Sequence, residues 1–363
     1  PFNWLYSSAP NFKIKGDQIA ILHEPKDFYD ELLERCRTSQ NRIIFSSLYL
    51  GFLICKFQFI GCQPRIPGRK NSRHILLPLL LYQKNCQVSL FHSPNLRGPL
   101  KQILPTRFNE LLGLQHMKFY IFDDSVLITG ANLSHDYFTN RQDRYILILN
   151  CNHWLISLLV WLFNIYSISS NFPHFIESDT VIFPLLEMPP FEIHHDSVIT
   201  KHLLDTAPAG AEIHLATGYF NLTNEYVDSL VNRSKAAVKI LMAHPTANGF
   251  LNAAGVAGGV PSAYTTLASN FLHYIERHQA TNQSTPHLTL IGSSNFGSRS
   301  VTKDLEMQVA IVTTNSKLRE VLAQERDRLY QLGVPFTREV ADSPSRRSPL
   351  WVRSTSRIFK NYF

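Results

Sequence analysis

The chain has 363 residues, 44% of them apolar and 17% charged, with a formal net charge of +7. That composition excludes wholesale disorder, and the length allows two ordinary domains or one large two-lobed unit. The excess of Lys and Arg favours anionic partners, such as phosphorylated small molecules, anionic lipid or nucleic acid, without choosing among them.

The first fifteen residues show neither a cleavable apolar core nor an Arg-rich amphipathic pattern, so they give no address. From Pro25 onward Phe28, Leu32, Leu33 and Cys36 recur at helical spacing with charged residues between them, and residues 43–50 read as a buried strand. A helix feeding a strand is an α/β beginning. Residues 51–67 break the pattern and end in Pro64 and Pro67. The basic loop at 68–73 is either a solvated turn or a phosphate or headgroup contact through Arg69, Lys70 and Arg73. Residues 88–91 form a further strand.

Residues 116–132 carry the densest chemistry. Met117, Phe119 and Ile121 face one side of a strand; His116, Lys118 and Tyr120 face the other, because side chains alternate with period two. An imidazole and an ammonium therefore project together, within reach of one anionic group. Asp123, Asp124 and Ser125 read as a tight turn, and the returning strand ends in Gly130-Ala131-Asn132. Neutral imidazole is a competent nucleophile near neutral pH, while fixed cations and N–H donors stabilise charge developing on phosphoryl oxygens. The alternative is a partly buried histidine beside a lysine on an exposed strand.

A polar run at 140–144 leads into a strand at 145–149. The apolar run at 154–168 is shorter than the ~20 residues a spanning helix needs, leaving a core helix or a membrane-surface segment. Phe172-Pro173, Phe183-Pro184 and Pro189-Pro190 mark a linker and the domain boundary. Beyond it the first half is replayed: a helix at 196–204, strands at 213–217, 238–242 and 288–291, then Gly292-Ser293-Ser294-Asn295. Asn132 is followed eleven residues on by Asp143, and Asn295 eleven residues on by Glu306, with a strand after each acid. This duplication implies two halves meeting at a shared pocket. The second half lacks a His-x-Lys. The first motif's spacing leads back to His278, but Ala280 and Thr285 stand where Lys and Asp belong, and His273 and His287 fit worse.

His-x-Lys-x4-Asp followed by Gly-x-Asn resembles the motif of the phospholipase D superfamily. The runs at 68–73, 108–110, 113–116, 140–145, 217–223 and 295–297 resemble, more narrowly, the eukaryotic mitochondrial phosphatidylglycerophosphate synthase family. The resemblance implies an α/β fold of two pseudo-repeated phospholipase D-like halves sharing one cleft: residues 1–172, residues 173–345, and a basic aromatic tail at 346–363. It implies transfer of a phosphatidyl group from CDP-diacylglycerol to glycerol-3-phosphate in cardiolipin synthesis. His116, Lys118 and Asp123 would be catalytic; Asn132, Ser293 and Asn295 would bind phosphate; Asp143 and Glu306 would orient the two imidazoles. No metal or cofactor is expected, and the five cysteines form no CxxC pair or zinc spacing, which suits a reducing compartment.

The same resemblance implies a mitochondrial location, with inner-membrane association. Peripheral membrane contact is expected through Arg346, Arg347, Arg353, Arg357 and Lys360 with Trp351, Phe359 and Phe363. A nuclease using the same histidine is disfavoured, since no long basic stripe with interleaved aromatics is present, so nucleic acid is not an expected partner. Residues 52–67, 152–175 and 265–287 depart from the family pattern. With the second His-x-Lys gone, impaired turnover is the expectation, and a non-catalytic relative that binds lipid or a partner is the alternative.

Overall fold

The computed structural model describes residues 1–48, 58–62, 76–82, 84–95, 112–151, 178–248, 258–275, 285–343 and 348–352, with the backbone alone at 58–62. The basic loop at 68–73, the apolar run at 154–168, His278, and tail residues 346, 347 and 353–363 lie outside the described residues.

Short alternating segments build the first half. After β1 (Phe12–Ile14) come β2 (Ile19–Leu22), β3 (Ile43–Ser47), β4 (Gln58–Cys62), β5 (Gln87–Phe91), β6 (Phe119–Phe122), β7 (Ser125–Thr129) and β8 (Tyr145–Ile148). All but β1 join one seven-stranded sheet in the order β2-β8-β7-β6-β3-β4-β5. Helix α1 (Pro25–Thr38) starts with Pro25 in its first turn and a capping box between Glu24 and Asp27. Its Phe28, Leu32 and Cys36, four residues apart, lie against Phe45, Tyr120, Phe122, Tyr145 and Leu147 on the sheet's outer face.

The second half follows with β9 (Thr180–Met188), β10 (Ile193–His194), α2 (His195–Thr206), β11 (Glu212–Thr217), β12 (Ala237–Met242), α3 (Val260–Ile275), β13 (Leu288–Gly292), β14 (Glu306–Thr313) and α4 (Ser316–Gln331). Its main sheet runs β1-β9-β14-β13, with β10 also on β9, so the first strand of the chain crosses to the second half. Met117, Phe119, Ile121, Val126 and Ile128 from one sheet meet Ile182, Leu186, Ile291, Met307 and Val309 from the other in a continuous core. On the far side Ile199 and Leu203 of α2 cover Phe183, Leu185 and Ala310. The layers are thus helix, sheet, sheet, helix, with the duplicated sheets face to face.

Residues 180–188 correct the linker expectation. The paired prolines at 183–190 suggested a break, yet β9 is a central strand buried along its length. Pro184 sits in the stretch that β1 and β10 leave uncovered on one side of β9, between Ile182 and Glu187, where a missing N–H is tolerated.

The repeat is incomplete at one place. In both halves a helix leads into a parallel strand pair, β3 with β4 and β11 with β12. In the first half β6, which follows His-x-Lys, joins β3 to β7; among the described residues no strand joins β11 to β13, and the sheet is divided there.

Helix α4 ties the halves together. Asn315 caps it by accepting the Leu318 N–H at 2.9 Å. Glu325 accepts from Arg144 Nε at 2.8 Å and Nη2 at 2.6 Å, while Arg144 Nη1 donates to the Leu290 carbonyl at 2.8 Å. Removing one partner of a buried bidentate pair leaves the other charge uncompensated. Glu325→Ala should therefore cost roughly 2–4 kcal/mol, below the fully buried limit because Arg144 keeps some solvent contact. Urea unfolding of the variant against the parent chain measures it.

Candidate active site

The site is assembled by chain crossing between halves. Gln115 bridges Leu305 in a parallel pairing. The Leu305 N–H donates to the Leu114 carbonyl at 2.7 Å and the His116 N–H to the Leu305 carbonyl at 2.8 Å. Gly113 makes the approach possible: its φ is +122°, and a Cβ there would lie 2.5 Å from the Lys303 carbonyl oxygen. Leu114 N–H donates to Asp304 at 2.9 Å. His116 is thereby delivered to the start of β14.

There its Nδ1–H donates to Glu306, at 2.8 Å to Oε2 and 3.0 Å to Oε1. A carboxylate can only accept, so it fixes the proton on Nδ1 and leaves Nε2 as the nucleophilic nitrogen. Glu306 is fully buried, and the hydroxyls of Ser293 at 2.5 Å and Ser300 at 2.6 Å also donate to it. Burial pushes the Glu306 carboxyl up, but the His116 charge and hydrogen bond, with Lys118 and Ser293, outweigh it and hold its pKa below the ordinary value. Glu306 of the second half thus meets the histidine of the first.

Lys118 is 2% exposed and donates to the His116 carbonyl at 2.9 Å. Burial lowers its pKa to about 8, against the pull of the Glu306, Asp143 and Asp304 carboxylates. Asp143 is the pseudo-symmetric counterpart of Glu306. It accepts N–H groups from Gly130 at 3.1 Å and Arg144 at 2.7 Å. Burial raises its pKa, and those amides with Lys118 and Arg144 do not fully reverse the shift. The two Gly-containing loops converge: a Cβ on Gly130 would lie 2.8 Å from Asp143 Oδ2 and 3.2 Å from the Gly292 carbonyl oxygen.

Two expected site residues sit differently from expectation. Asp123 is not in the cleft. It caps the far turn of the β6–β7 hairpin at φ +49°, where its carboxylate accepts N–H groups from Gln40, Asn41 and Arg42 at 2.8–2.9 Å. Ser293 spends its hydroxyl on Glu306 and the buried Met307 carbonyl rather than facing outward. Asn132 is buried beside Gly130, and the Asn295 N–H donates to Ser300 at 3.3 Å. Ser300 was not foreseen, and neither was Gln115, whose Nε2 donates to Ser46 at 2.5 Å and to the Met117 carbonyl at 3.1 Å. The only signal for Ser300 was its place five residues beyond Asn295. Of the substitute histidines, His287 lies at the surface against Arg319, and the side chain of His273 is outside the described residues.

No family model matches the chain. The mitochondrial CDP-diacylglycerol–glycerol-3-phosphate 3-phosphatidyltransferase of Gallus gallus is 35% identical, over 100% of this chain and 86% of its own length. The Homo sapiens protein of the same name is 33% identical with the same coverage. The chain belongs to this phosphatidyltransferase family. In fold it is similar to the phosphatidylserine synthase of Haemophilus influenzae, with a TM-score of 0.72 and 14% identity over 97% of this chain and 94% of that one. This supports the two-half phospholipase D-like architecture. The chicken phosphatidyltransferase aligns over 482 positions against 363 residues here, a difference of 119 positions. The alignment thus contains about 119 positions that this chain does not fill.

Lys118 gives a signed pH dependence. Below about pH 8 its ammonium is charged in both folded and unfolded chain, so the burial cost is present in full. As pH rises from about 8 toward the ordinary 10.5, folding stability should increase while affinity for an anionic phosphate falls. Thermal melts and phosphate-ester binding recorded across that range should move in opposite directions. Asp123 offers a separate check. Its three amide hydrogen bonds hold its pKa low despite partial burial, so its contribution is present at neutral pH and lost in acid. Asp123→Ala should cost roughly 1–3 kcal/mol of stability and leave the reactivity of His116 intact; loss of reactivity in a folded variant would return Asp123 to the site.

Proposed function

We propose that the chain transfers a phosphatidyl group from CDP-diacylglycerol to glycerol-3-phosphate through a phosphatidyl-histidine at His116, with impaired turnover. The observation that carries the reading is His116, held at Nδ1 by buried Glu306 of the opposite half with Lys118 beside it. The substrates come from the names of the relatives.

In the first step Nε2 attacks the phosphorus that carries diacylglycerol. The P–N bond forms as the P–O bond to CMP breaks, and CMP leaves with the electron pair. Glu306 balances the imidazolium that results, as a positioned carboxylate does in other histidine sites. Lys118, with Asn132 and Asn295 as further donors, neutralises the non-bridging oxygens. In the second step the glycerol-3-phosphate hydroxyl attacks, the P–N bond breaks, and the hydroxyl proton needs a base. That base would be an imidazole against Asp143, and the described residues supply none there. Positioned acid–base catalysis is typically worth ~10²–10⁴-fold, so the second step should be slow.

The chain would act at the mitochondrial inner membrane, from its surface. Two supports are the exposure of Leu350 (78%) and Trp351 (48%) at the start of the tail, and the mitochondrial names of the relatives. No helix among the described residues is long and apolar enough to cross a membrane.

The test is incubation with CDP-diacylglycerol and labelled glycerol-3-phosphate. CMP should be released in a burst near one equivalent, with the lipid retained on His116, followed by slow product formation that added imidazole accelerates. Glu306→Gln should slow the burst by about 10²-fold or more. Turnover that survives His116→Ala would sink the proposal. Lipid binding with no CMP release would favour the non-catalytic alternative.

A further inference from the structure

Around the Asp143 side of the cleft lies an aromatic strip that the transfer chemistry does not use. Tyr137 and Arg141 come from the first half, Tyr219, Tyr264 and Arg299 from the second. The Arg141 guanidinium carbon stands 5.2 Å from the Tyr137 ring centroid, and its Nη1 donates to the Tyr137 hydroxyl at 3.2 Å. Its Nη2 donates to the Ala247 carbonyl at 3.0 Å, so the side chain is held from both halves. The rings of Tyr219 and Tyr264 have centroids 5.5 Å apart at 41°. Arg299 pairs with Asp304 at 3.2 Å, the same carboxylate that holds the segment leading into His116.

Tyr219 is fixed by its own turn: its carbonyl accepts from Thr217 Oγ1 and from the Asn221 N–H, both at 3.1 Å. The space beside it is open among the described residues, since a Cβ on neighbouring Gly218 would meet none of them within 4 Å. Burial, and then proximity to Tyr219, keep the phenols of Tyr137 and Tyr264 above their ordinary value, so both are neutral hydroxyls at neutral pH.

We infer that this strip is the seat of the nucleotide: the base stacks on Tyr219 beside Tyr264, and Arg141 takes the phosphate nearest the nucleoside. The inference rests on the reading of CDP-diacylglycerol as donor. Every base has a π-face, so an aromatic shelf gives affinity, and a guanidinium matches a phosphate by two parallel N–H bonds. The 5.5 Å centroid separation leaves no room for a base between the two tyrosines. It therefore lies on the open side, where Gly218 leaves space. Residues of both halves take part, so the nucleotide would be read only when the halves are joined.

The full chain is titrated with CMP, CDP and glycerol-3-phosphate by calorimetry. Tyr219→Leu should weaken CMP on the order of ten- to a hundredfold, and Tyr219→Phe, which keeps the ring, should leave it within about threefold. Arg141→Gln should weaken CMP and CDP alike, because both carry the phosphate nearest the nucleoside, with glycerol-3-phosphate unaffected by any of the three. Equal losses in the Leu and Phe variants, or a loss confined to glycerol-3-phosphate, would overturn the assignment. So would a parent chain that is labelled at His116 from CDP-diacylglycerol yet does not bind CMP, and in that case the transfer reading stands. A chain that is neither labelled nor bound by CMP takes both readings down.

Discussion

The contact on which the site depends is the docking of residues 114–116 against Asp304, Leu305 and Glu306. Two backbone hydrogen bonds of 2.7 and 2.8 Å fix the register, and the His116–Glu306 bond follows from it. A histidine oriented by a carboxylate in its own half would need no partner half. Here the tautomer of His116 is set by a residue 190 positions further along the chain, so it depends on the joining of the halves. The face-to-face core of Met117, Phe119 and Ile121 with Met307 and Val309 holds that register from below. Arg144 and Glu325 hold it from the side.

The two equivalent carboxylates show what an imidazole contributes. Glu306 and Asp143 are both buried, and burial alone drives a carboxyl upward. Glu306 ends below its ordinary value because His116 stands against it, whereas Asp143 has backbone amides and cations but no such partner among the described residues, and ends above. Among the described residues the same cleft thus holds one carboxylate matched to a histidine and one that is not. Lys118, at the meeting point of Glu306, Asp143 and Asp304, is the cation on which both carboxylates draw. Its own burial makes it sensitive to pH in a range where a surface lysine is inert.

Much of this was legible in the sequence, for identifiable reasons. Period-two alternation placed Met117, Phe119 and Ile121 on one side of a strand and Tyr120 on the other, and the structure packs them into two separate cores. The repeated eleven-residue spacing from Asn to acid marked Glu306, though nothing local shows that its histidine lies in the other half. Asp123 was misassigned because motif spacing carries no direction: a residue five after Lys118 on a strand lies at the opposite end of it. β9 was hidden by its prolines, since local propensity cannot register that Pro184 falls where neighbouring strands leave the edge uncovered. Ser300 and Gln115 are ordinary polar residues in sequence, and only the buried carboxylate and carbonyls they reach give them meaning.

The fold itself does not depend on the piece that the repeat lacks. The inter-sheet core draws on β9, β13 and β14 from the second half, and α2 and α4 are anchored on those strands or on the first half. β11 and β12 gather their own core with Phe220, Leu222 and Phe271. Each layer therefore buries its apolar face although no strand among the described residues lies between β11 and β13. Removing a His-x-Lys segment takes away a proton carrier and one cation but few of the contacts that hold the sheets together. Burial stabilises the architecture over many residues, while catalysis in a two-step transfer rests on two imidazoles. On the transfer reading proposed above, a chain that keeps the fold and the first histidine would still lose rate at the step where the acceptor hydroxyl must be deprotonated.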